Sequence, residues 1–251
     1  MYAQAAKLFT IRRTLSKMLA RRAYKLPSSL ESETPESFNE LYASIVARRG
    51  SSSSAHVSGA PPSTTTTSSG GKKRASSPPT TVDPLAFIAT RESAAASGRR
   101  LIVFFPNDSD RSNLGISPIR DFVACMKAHE CTHAILVVYE SLTSPAVFMV
   151  RELEAQQGIN ITYFAENELL FDISEHAYVP RHELLSGAEK EQLLVDLKVP
   201  TTDLLPRIQK HDPIARYMGL VVGDVVRIHR YSATVGRDVY YRVVVDSEDF
   251  D

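Results

Sequence analysis

The sequence lacks tryptophan and holds only two cysteines, Cys125 and Cys131, among its 251 residues. Two cysteines are too few for a disulfide framework in a chain of this size, so a reducing compartment fits. They lie near His129 and His133, but the paired Cys-x-x-Cys spacing of structural zinc sites is absent. We therefore expect no metal site.

Glycine is also scarce, with 11 residues, and none of them opens a phosphate-binding loop followed by Lys-Ser or Lys-Thr. Hydrolase and nuclease templates fail as well. No serine lies in a nucleophile elbow, and Asp108 and Asp110 lack the Glu-x-Lys partner of a metal-dependent nuclease. We expect no catalytic residues and no cofactor; an enzyme of nuclease-like fold is the competing hypothesis.

Long hydrophobic runs are absent too. The longest, such as residues 134–139, have the length of a strand. A helix that crosses a bilayer needs about 20 apolar residues, so we do not expect an integral membrane protein. The net charge is +0, but residues 1–100 hold 15 Lys or Arg against 6 Asp or Glu, and the remainder holds 14 against 23. The basic part could approach nucleic acid and the acidic part suits a protein partner. Solvated surface is the alternative.

Residues 1–26 contain no acidic residue, and their apolar side chains recur at helical spacing. One interpretation is a mitochondrial presequence, which would be removed from a mature nucleic-acid-binding factor. The other is a folded first helix, whose buried stripe would be Leu8, Ile11, Leu15, Met18 and Leu19. Residues 37–46 predict a second amphipathic helix. Its buried stripe would be Phe38, Leu41, Tyr42 and Ile45.

Serine, threonine, proline and glycine dominate residues 50–82, which predicts a disordered insertion. Within it, Lys72, Lys73 and Arg74 fit either a nuclear localisation patch or a site regulated by phosphorylation. A plain solvated linker is the alternative.

Apolar runs after the insertion predict buried strands at 101–105, 134–139 and 159–164, with a helix over 116–128. Strands that alternate with helices predict an α/β layer. Ser186 and Glu189 then form a capping-box pattern for a helix over 187–197. We expect Leu193, Leu194 and Leu197 of that helix to face a terminal hairpin.

The hairpin itself is predicted from residues 204–245. Asp212 caps a short helix that begins at Pro213 and that Gly219 ends. Residues 225–231 alternate, which places Val226 and Ile228 on one face, and residues 239–245 return as the partner strand.

Three segments of this region, LPRIQKHDPIARYMG, GDVVRIHR and YYRVV, closely resemble the C-terminal domain of the shared fifth-largest subunit of eukaryotic RNA polymerases, a domain that archaeal polymerases also have. KLFTIRRTLSKMLARRAY resembles that subunit's first helix, and LIVFFP and AILVVYESLTSPA follow the order of its N-terminal domain, the jaw. The resemblance implies an α/β (α+β) chain: a nuclease-like α/β jaw domain over 1–169 and a small α+β assembly domain over 170–251.

The implied function is that of a non-catalytic subunit of nuclear DNA-dependent RNA polymerase, with the magnesium and the catalysis on other chains. The jaw is expected to lie by downstream duplex DNA and to contact it weakly, without sequence preference, through a Thr-Pro-Ser-Ala turn. Here the turn reads Thr143, Ser144, Pro145 and Ala146, with Ser and Pro exchanged. A plain surface turn is the alternative.

The resemblance further implies that the C-terminal domain binds the largest polymerase subunit, in a complex with the other subunits. Arg and Tyr are the residue types that carry interface energy. The candidate interface residues are Arg207, Asp212, Pro213, Arg216, Tyr217, Arg230, Tyr240, Tyr241 and Arg242. Internal packing of Tyr241 and Arg242 is the alternative. The residues leave open whether polymerases I, II and III share the subunit or one of them has it alone.

Overall fold

A computed structural model describes residues 2–52, 85–91, 99–106, 113–232, 234 and 236–246. Most of the predicted insertion, residues 53–82, lies outside the described residues, as do Asp108 and Asp110. The chain divides into an N-terminal unit of Met1–Ser16 and Tyr24–Leu170 and a C-terminal unit of Lys17–Ala23 and Phe171–Asp251. Helices and sheets are mixed throughout, which confirms the predicted α/β class.

Three helices begin the chain: α1 (Tyr2–Arg21), α2 (Ser28–Glu31) and α3 (Pro35–Ser52). The folded first helix is confirmed, since its whole predicted apolar stripe is 0% exposed. In α3, Phe38, Tyr42 and Ile45 are buried as predicted, and Leu41 is half-buried. Helix α2 was not predicted, and α3 extends to Ser52, past the position where the sequence predicts disorder to begin.

The sheet of the N-terminal unit has the order β1-β2-β4-β6. Strand β1 (Phe87–Arg91) runs antiparallel to β2 (Arg99–Phe104), whereas β4 (His133–Val138) and β6 (Asn160–Ala165) continue the sheet in parallel. This parallel arrangement requires crossover connections, and a helix lies in each of them.

The crossover helices are α4 (Ile116–Ala128), as predicted, and α5 (Ser144–Gln157), which was not predicted. A two-stranded pair, β3 (Asn113–Leu114) with β5 (Ser141–Leu142), precedes the helices. Side chains of both helices pack with the sheet in one core, where the rings of Phe104 and Phe122 stack with centroids 4.7 Å apart. Cys125 and Cys131 are buried in this core, and burial raises the pKa of both thiols, which keeps them protonated at neutral pH.

Arg12 is a buried cation of the N-terminal unit, only 6% exposed. Its Nη2 lies 3.0 Å from Glu33 Oε1, and its Nη1 donates to the carbonyl oxygen of Leu85 at 3.1 Å. Burial lowers the pKa of Arg12 and raises the pKa of Glu33, and the attraction within the pair opposes both shifts. Because burying such a pair costs desolvation energy, it adds little net stability. Its contacts join α1 to Glu33 and to the Leu85 backbone.

The C-terminal unit is built on a second four-stranded sheet of order β7-β9-β10-β8. The predicted hairpin is confirmed, since β9 (Val225–Ser232) pairs antiparallel with β10 (Gly236–Val245). Strand β7 (Arg181–Leu184) adds antiparallel to β9, and β8 (Arg207–Gln209) adds parallel to β10.

Helix α6 (Gly187–Leu197) covers one end of this sheet. Its predicted capping box is confirmed, because Ser186 Oγ accepts from the Glu189 amide while the Glu189 carboxylate accepts from the Ser186 amide. Leu193 packs in one core with Leu185, Leu205, Val225 and Val243. The prediction for Leu197 was wrong. It is the last helical residue and 46% exposed, at the point where the chain leaves the helix through Lys198 in the left-handed region.

The short helix α7 (Pro213–Met218) has partners at both ends. Asp212 accepts the Ile214 amide at 2.9 Å, which confirms the predicted cap. At the other end Arg22 donates from Nε to the Tyr217 carbonyl at 2.9 Å and from Nη2 to the Arg216 carbonyl at 2.6 Å. A helix of six residues has few internal hydrogen bonds, so these end contacts carry much of its order.

Gly219 terminates α7 at φ +69, and a Cβ there would lie 3.0 Å from the Arg22 guanidinium. We expect Gly219→Ala to lower the free energy of unfolding by about 2 kcal/mol, because the left-handed conformation is strained and Arg22 must give up its carbonyls. Urea denaturation measures it. Gly223→Ala is the matched control, since Gly223 also has positive φ but open space around it, and we expect a loss of about 1 kcal/mol. Equal losses in the two variants would contradict a role for Arg22.

Candidate functional site

Three of the predicted interface residues lie on one face of the C-terminal sheet. In the hairpin register, Tyr240 is opposite Ile228, Arg242 is opposite Val226, and Arg230 is opposite Asp238. Paired residues point to the same side of a sheet, as do alternate residues of one strand. We call the exposed residues Arg230, Tyr240 and Arg242 the hairpin face.

The hairpin face is held by contacts among its own side chains. The Arg230 guanidinium stacks on the Tyr240 ring, 4.0 Å from the ring centroid, and its Nη2 donates to the Tyr240 hydroxyl at 2.6 Å. Arg242 donates from Nη1 to the carbonyl oxygen of Arg207 on the neighbouring β8 at 3.1 Å. The arginines are therefore oriented before any partner arrives, which lowers the entropy cost of binding.

Other predicted interface residues have internal roles. Tyr217 is only 4% exposed, and its hydroxyl accepts from Arg21 at 3.1 Å, so it packs the unit and does not face a partner. The Asp212 carboxylate is used as the α7 cap. Tyr241 lies on the opposite sheet face, half-buried against the Leu193 core, as the packing alternative had it.

The remaining candidates stay at the surface or near it. Arg207 and Pro213 are exposed. Arg216 is half-buried, and its Nε donates to the His211 carbonyl at 3.2 Å.

The predicted DNA-contact turn is the start of helix α5. Thr143 precedes the helix in extended conformation, and its amide and its Oγ1 both donate to the Leu114 carbonyl, at 3.2 and 3.3 Å. Ser144 and Pro145 are exposed. Ala146 is 0% exposed and its amide donates to the Thr143 carbonyl, so its inclusion as a contact residue is corrected: the first helical turn directs it into the core.

A network that sequence reasoning missed lies at the end of α1, within the C-terminal unit. Arg21 Nη1 lies 3.0 Å from the Asp172 carboxylate and 3.1 Å from the Tyr217 hydroxyl, and its Nη2 lies 3.2 Å from Glu175, which Lys17 also contacts at 3.1 Å. Arg21 is 151 residues from Asp172 and 196 residues from Tyr217 in sequence, and no local pattern relates them.

Burial opposes ionisation of Asp172, but hydrogen bonds from Ser174 and Tyr217 together with the Arg21 charge outweigh it and lower the pKa of the carboxyl. A carboxylate buried without such donors would instead have a raised pKa. The network therefore holds Asp172 as an anion inside the unit.

Metal chemistry finds no support in the described ranges, where no three His, Cys, Asp or Glu side chains are grouped so that they could hold an ion. In the same ranges, no helix combines the length and the apolar character needed to cross a membrane. The two aspartates of the nuclease hypothesis lie outside the described residues.

Sequence comparisons identify both parts of the chain. The family model described as RNA polymerase Rpb5, N-terminal domain, matches residues 2–126, and that described as RNA polymerase Rpb5, C-terminal domain, matches residues 171–244. The chain is 41% identical over 145 residues to a Dictyostelium discoideum protein, DNA-directed RNA polymerases I, II, and III subunit rpabc1. The aligned region covers 58% of this chain and 72% of that protein. The chain belongs to the Rpb5 family.

Two nematode members of the Rpb5 family agree with this assignment. The subunits RPABC1 of Caenorhabditis briggsae and Caenorhabditis elegans are each 38% identical over 146 residues, which is 58% of this chain and 66% of theirs. The chain is a subunit of DNA-directed RNA polymerase and not an enzyme on its own. The resemblance drawn from the sequence is thereby confirmed.

The Asp172 network predicts a pH-dependent stability. Because the pKa of Asp172 is lower in the folded than in the unfolded chain, the carboxylate stabilises the fold above about pH 4, and this contribution is lost as the pH falls through the folded value. We expect Asp172→Asn to lower the free energy of unfolding by about 2 kcal/mol at pH 7 and by progressively less below about pH 4.

Urea denaturation across this pH range makes the measurement, and Glu175→Gln is the matched control. Glu175 contacts the same arginine but its side chain is 53% exposed, so we expect a loss of less than about 1 kcal/mol at every pH. A cost of Asp172→Asn that stays constant or grows as the pH falls would contradict the pKa argument.

Proposed function

We propose that this Rpb5 chain anchors itself to the largest polymerase subunit through its C-terminal domain (170–251), and that its N-terminal jaw domain (1–169) lies by downstream duplex DNA. It works in the nucleus, next to the other polymerase subunits. The relatives are named as subunits of polymerases I, II and III, which supports a subunit shared by all three.

The observation that carries the docking proposal is the stacked Arg230–Tyr240 pair, whose two side chains are exposed on the hairpin. Arginine and tyrosine are enriched among residues that contribute most to binding. Tyr240 remains 38% exposed despite the stacking, so ring surface is still available for burial. Arg242 extends the same face toward β8 through its bond to the Arg207 carbonyl oxygen.

Exposure supports a narrower version of the DNA proposal. Ser144 and Pro145 are exposed at the start of α5, whereas Thr143 is fixed to Leu114. A serine hydroxyl at this position can donate to a phosphate oxygen, a contact that positions DNA without reading its sequence. A single neutral donor gives weak binding, so we assign this contact a positioning role only.

The mitochondrial alternative fits the α1 contacts poorly. Removal of residues 1–26 would take away Leu8, Ile11 and Leu15, all 0% exposed, from the core of the N-terminal unit. It would also remove Arg21 from Asp172 and Arg22 from the end of α7. These contacts support retention of the segment in the working protein.

Co-purification tests the docking proposal. We expect tagged wild-type protein expressed in cells to recover the largest subunits of all three polymerases. The double variant Arg230→Glu/Arg242→Glu should recover about tenfold less or lower, because reversed charges at an interface cost several kcal/mol.

Arg120→Glu/Lys127→Glu is the matched control, since both residues are exposed on α4 and carry the same two-charge reversal. We expect normal recovery of the largest subunits with it. Equal recovery with the hairpin double variant would refute docking through the hairpin face, and failure of the wild-type protein to recover any largest subunit would refute the assembly role.

Ser144→Glu tests the DNA proposal in the assembled polymerase. A carboxylate next to a phosphate repels it, so we expect about a two- to fivefold weaker hold on downstream duplex DNA at low salt and a smaller effect at high salt. Salt-dependent binding of a DNA fragment by purified polymerase measures it. Ser117→Glu is the control, because Ser117 is also an exposed serine before a proline in the first turn of a helix. Equal effects of the two variants would contradict a DNA contact by Ser144.

A further inference from the structure

The C-terminal sheet has two edge strands, and in the described part of the chain only one of them is closed by other residues. The sheet order places β8 at one edge and β7 at the other. On β8, the carbonyl oxygens that point away from β10 belong to Arg207 and Gln209. Arg207 accepts from Arg242 Nη1 at 3.1 Å, and Gln209 accepts from the Asp212 amide at 3.0 Å. Both outward acceptors of β8 are therefore engaged within the unit.

The backbone of β7 is open along its outer side. Hydrogen bonds of an antiparallel pair alternate, and the Leu185 amide already donates to the Val225 carbonyl of β9 at 3.0 Å. The amides and carbonyls of His182 and Leu184 therefore point away from β9. Among the described residues, none donates to or accepts from these four groups. Leu184 is 50% exposed, so this edge lies at the surface.

The chemistry of the open edge decides which class of molecule fits it. Two N–H donors and two C=O acceptors repeat at about 6.8 Å along the strand. Another extended backbone matches both kinds of group at this spacing. The phosphates of a nucleic acid only accept hydrogen bonds, so they would leave the two carbonyls facing an anion. The occupant of the edge is therefore an extended protein segment.

A second copy of this chain fits the edge poorly. The two-fold arrangement that pairs His182 with Leu184 of the copy places the two Glu183 carboxylates directly opposite each other, which is repulsive. A register shifted toward the start of β7 brings in Pro180, which has no N–H and whose carbonyl is already bonded by the His182 ring at 2.7 Å. A register shifted the other way brings in Ser186, whose amide is already used in the capping box.

The side chains of β7 indicate the composition of the added strand. Leu184 and His182 share one face, and an apolar residue paired across from the half-exposed leucine stabilises the sheet. On the other face, Glu183 lies 2.7 Å from Arg181 and 2.9 Å from His229. Because these contacts already compensate its charge, a neutral polar residue fits beside it. An alternating segment such as Val-Thr-Val meets both requirements.

We propose that the outer edge of β7 receives an extended strand from a neighbouring polymerase subunit, with alternating apolar and neutral polar residues. The chain is a polymerase subunit, so other protein chains adjoin it, and native proteins rarely leave a sheet edge open. Main-chain bonds to His182 and Leu184 supply the affinity, and alternate side chains supply the specificity. The proposal does not depend on the docking assigned to the hairpin face.

Hydrogen exchange in the assembled enzyme tests the proposal. Polymerase is isolated through the tagged full chain, and its exchange is compared with that of the free chain by mass spectrometry with fragmentation that resolves single amides. In the free chain we expect the amides of His182 and Leu184 to exchange fast, whereas those of Glu183 and Leu185 are protected. In the polymerase we expect both open amides to slow about tenfold or more. Unchanged exchange of these two amides would overturn the proposal.

A proline variant tests whether the protection comes from a strand. Leu184→Pro removes an outward N–H and leaves the bonds to β9 in place, since an edge strand tolerates proline where its N–H faces outward. In cells that express both chains, we expect polymerase to incorporate the variant about fivefold less than the wild type. Gln209→Pro is the matched control, because the Gln209 amide also points outward, from the closed edge of β8. We expect its incorporation to be normal.

The outcomes separate the occupants. Equal incorporation of Leu184→Pro and wild type would show that side chains cover the edge without adding a strand, and an equal loss with Gln209→Pro would show that β7 is not special. Either result overturns the proposal. Self-association of the free chain that Leu184→Pro abolishes would identify a second copy as the occupant and overturn it as well. If Leu184→Pro fails to fold, the exchange measurement on the wild-type chain decides.

Discussion

Ion pairs between the first helix and carboxylates elsewhere in the chain are the constraint on which both units depend. The sequence is basic in its first hundred residues and acidic afterwards, and the fold uses that asymmetry internally. The pairs are Lys7–Glu166 and Arg12–Glu33 in the N-terminal unit, and Lys17–Glu175 and Arg21–Asp172 in the C-terminal unit. Because Glu166 and Asp172 have side chains only 4% exposed, loss of the paired cation would remove the opposite charge from a buried carboxylate, which is costly. These four cations of the basic helix therefore have a structural role.

Local patterns predicted most of the fold because local physics sets most element ends. The limits of α4 and α6 match the prediction, and Asp212 and Gly219 cap the two ends of α7. Helix α5 was missed although its signals were present, with Pro145 in the first turn and Gly158 in the left-handed region at the end. Partners distant in sequence, such as Arg21 and Asp172, left no local trace to predict.

The candidate site was predicted in residue type but not in orientation. Tyr240 and Tyr241 are adjacent, so a strand sends them to opposite faces, and only the pairing with β9 decides which ring is exposed. Tyr217 and Ala146 fell inside the protein for the same reason: a helix turns a given residue inward or outward according to its packing partner. Composition thus indicates which residue types can form an interface, and strand register decides which of them are exposed.

The end of the hairpin beyond His229 depends on contacts between the side chains of its own two strands. Strand β7 supports β9 only as far as His229, and beyond that row the hairpin has two strands. A two-stranded ribbon is marginally stable in water, so cross-strand contacts must supply its rigidity. Arg230 stacked on Tyr240 does so. A ribbon stiffened in this way presents Arg230 and Tyr240 without the ordering cost of a flexible loop.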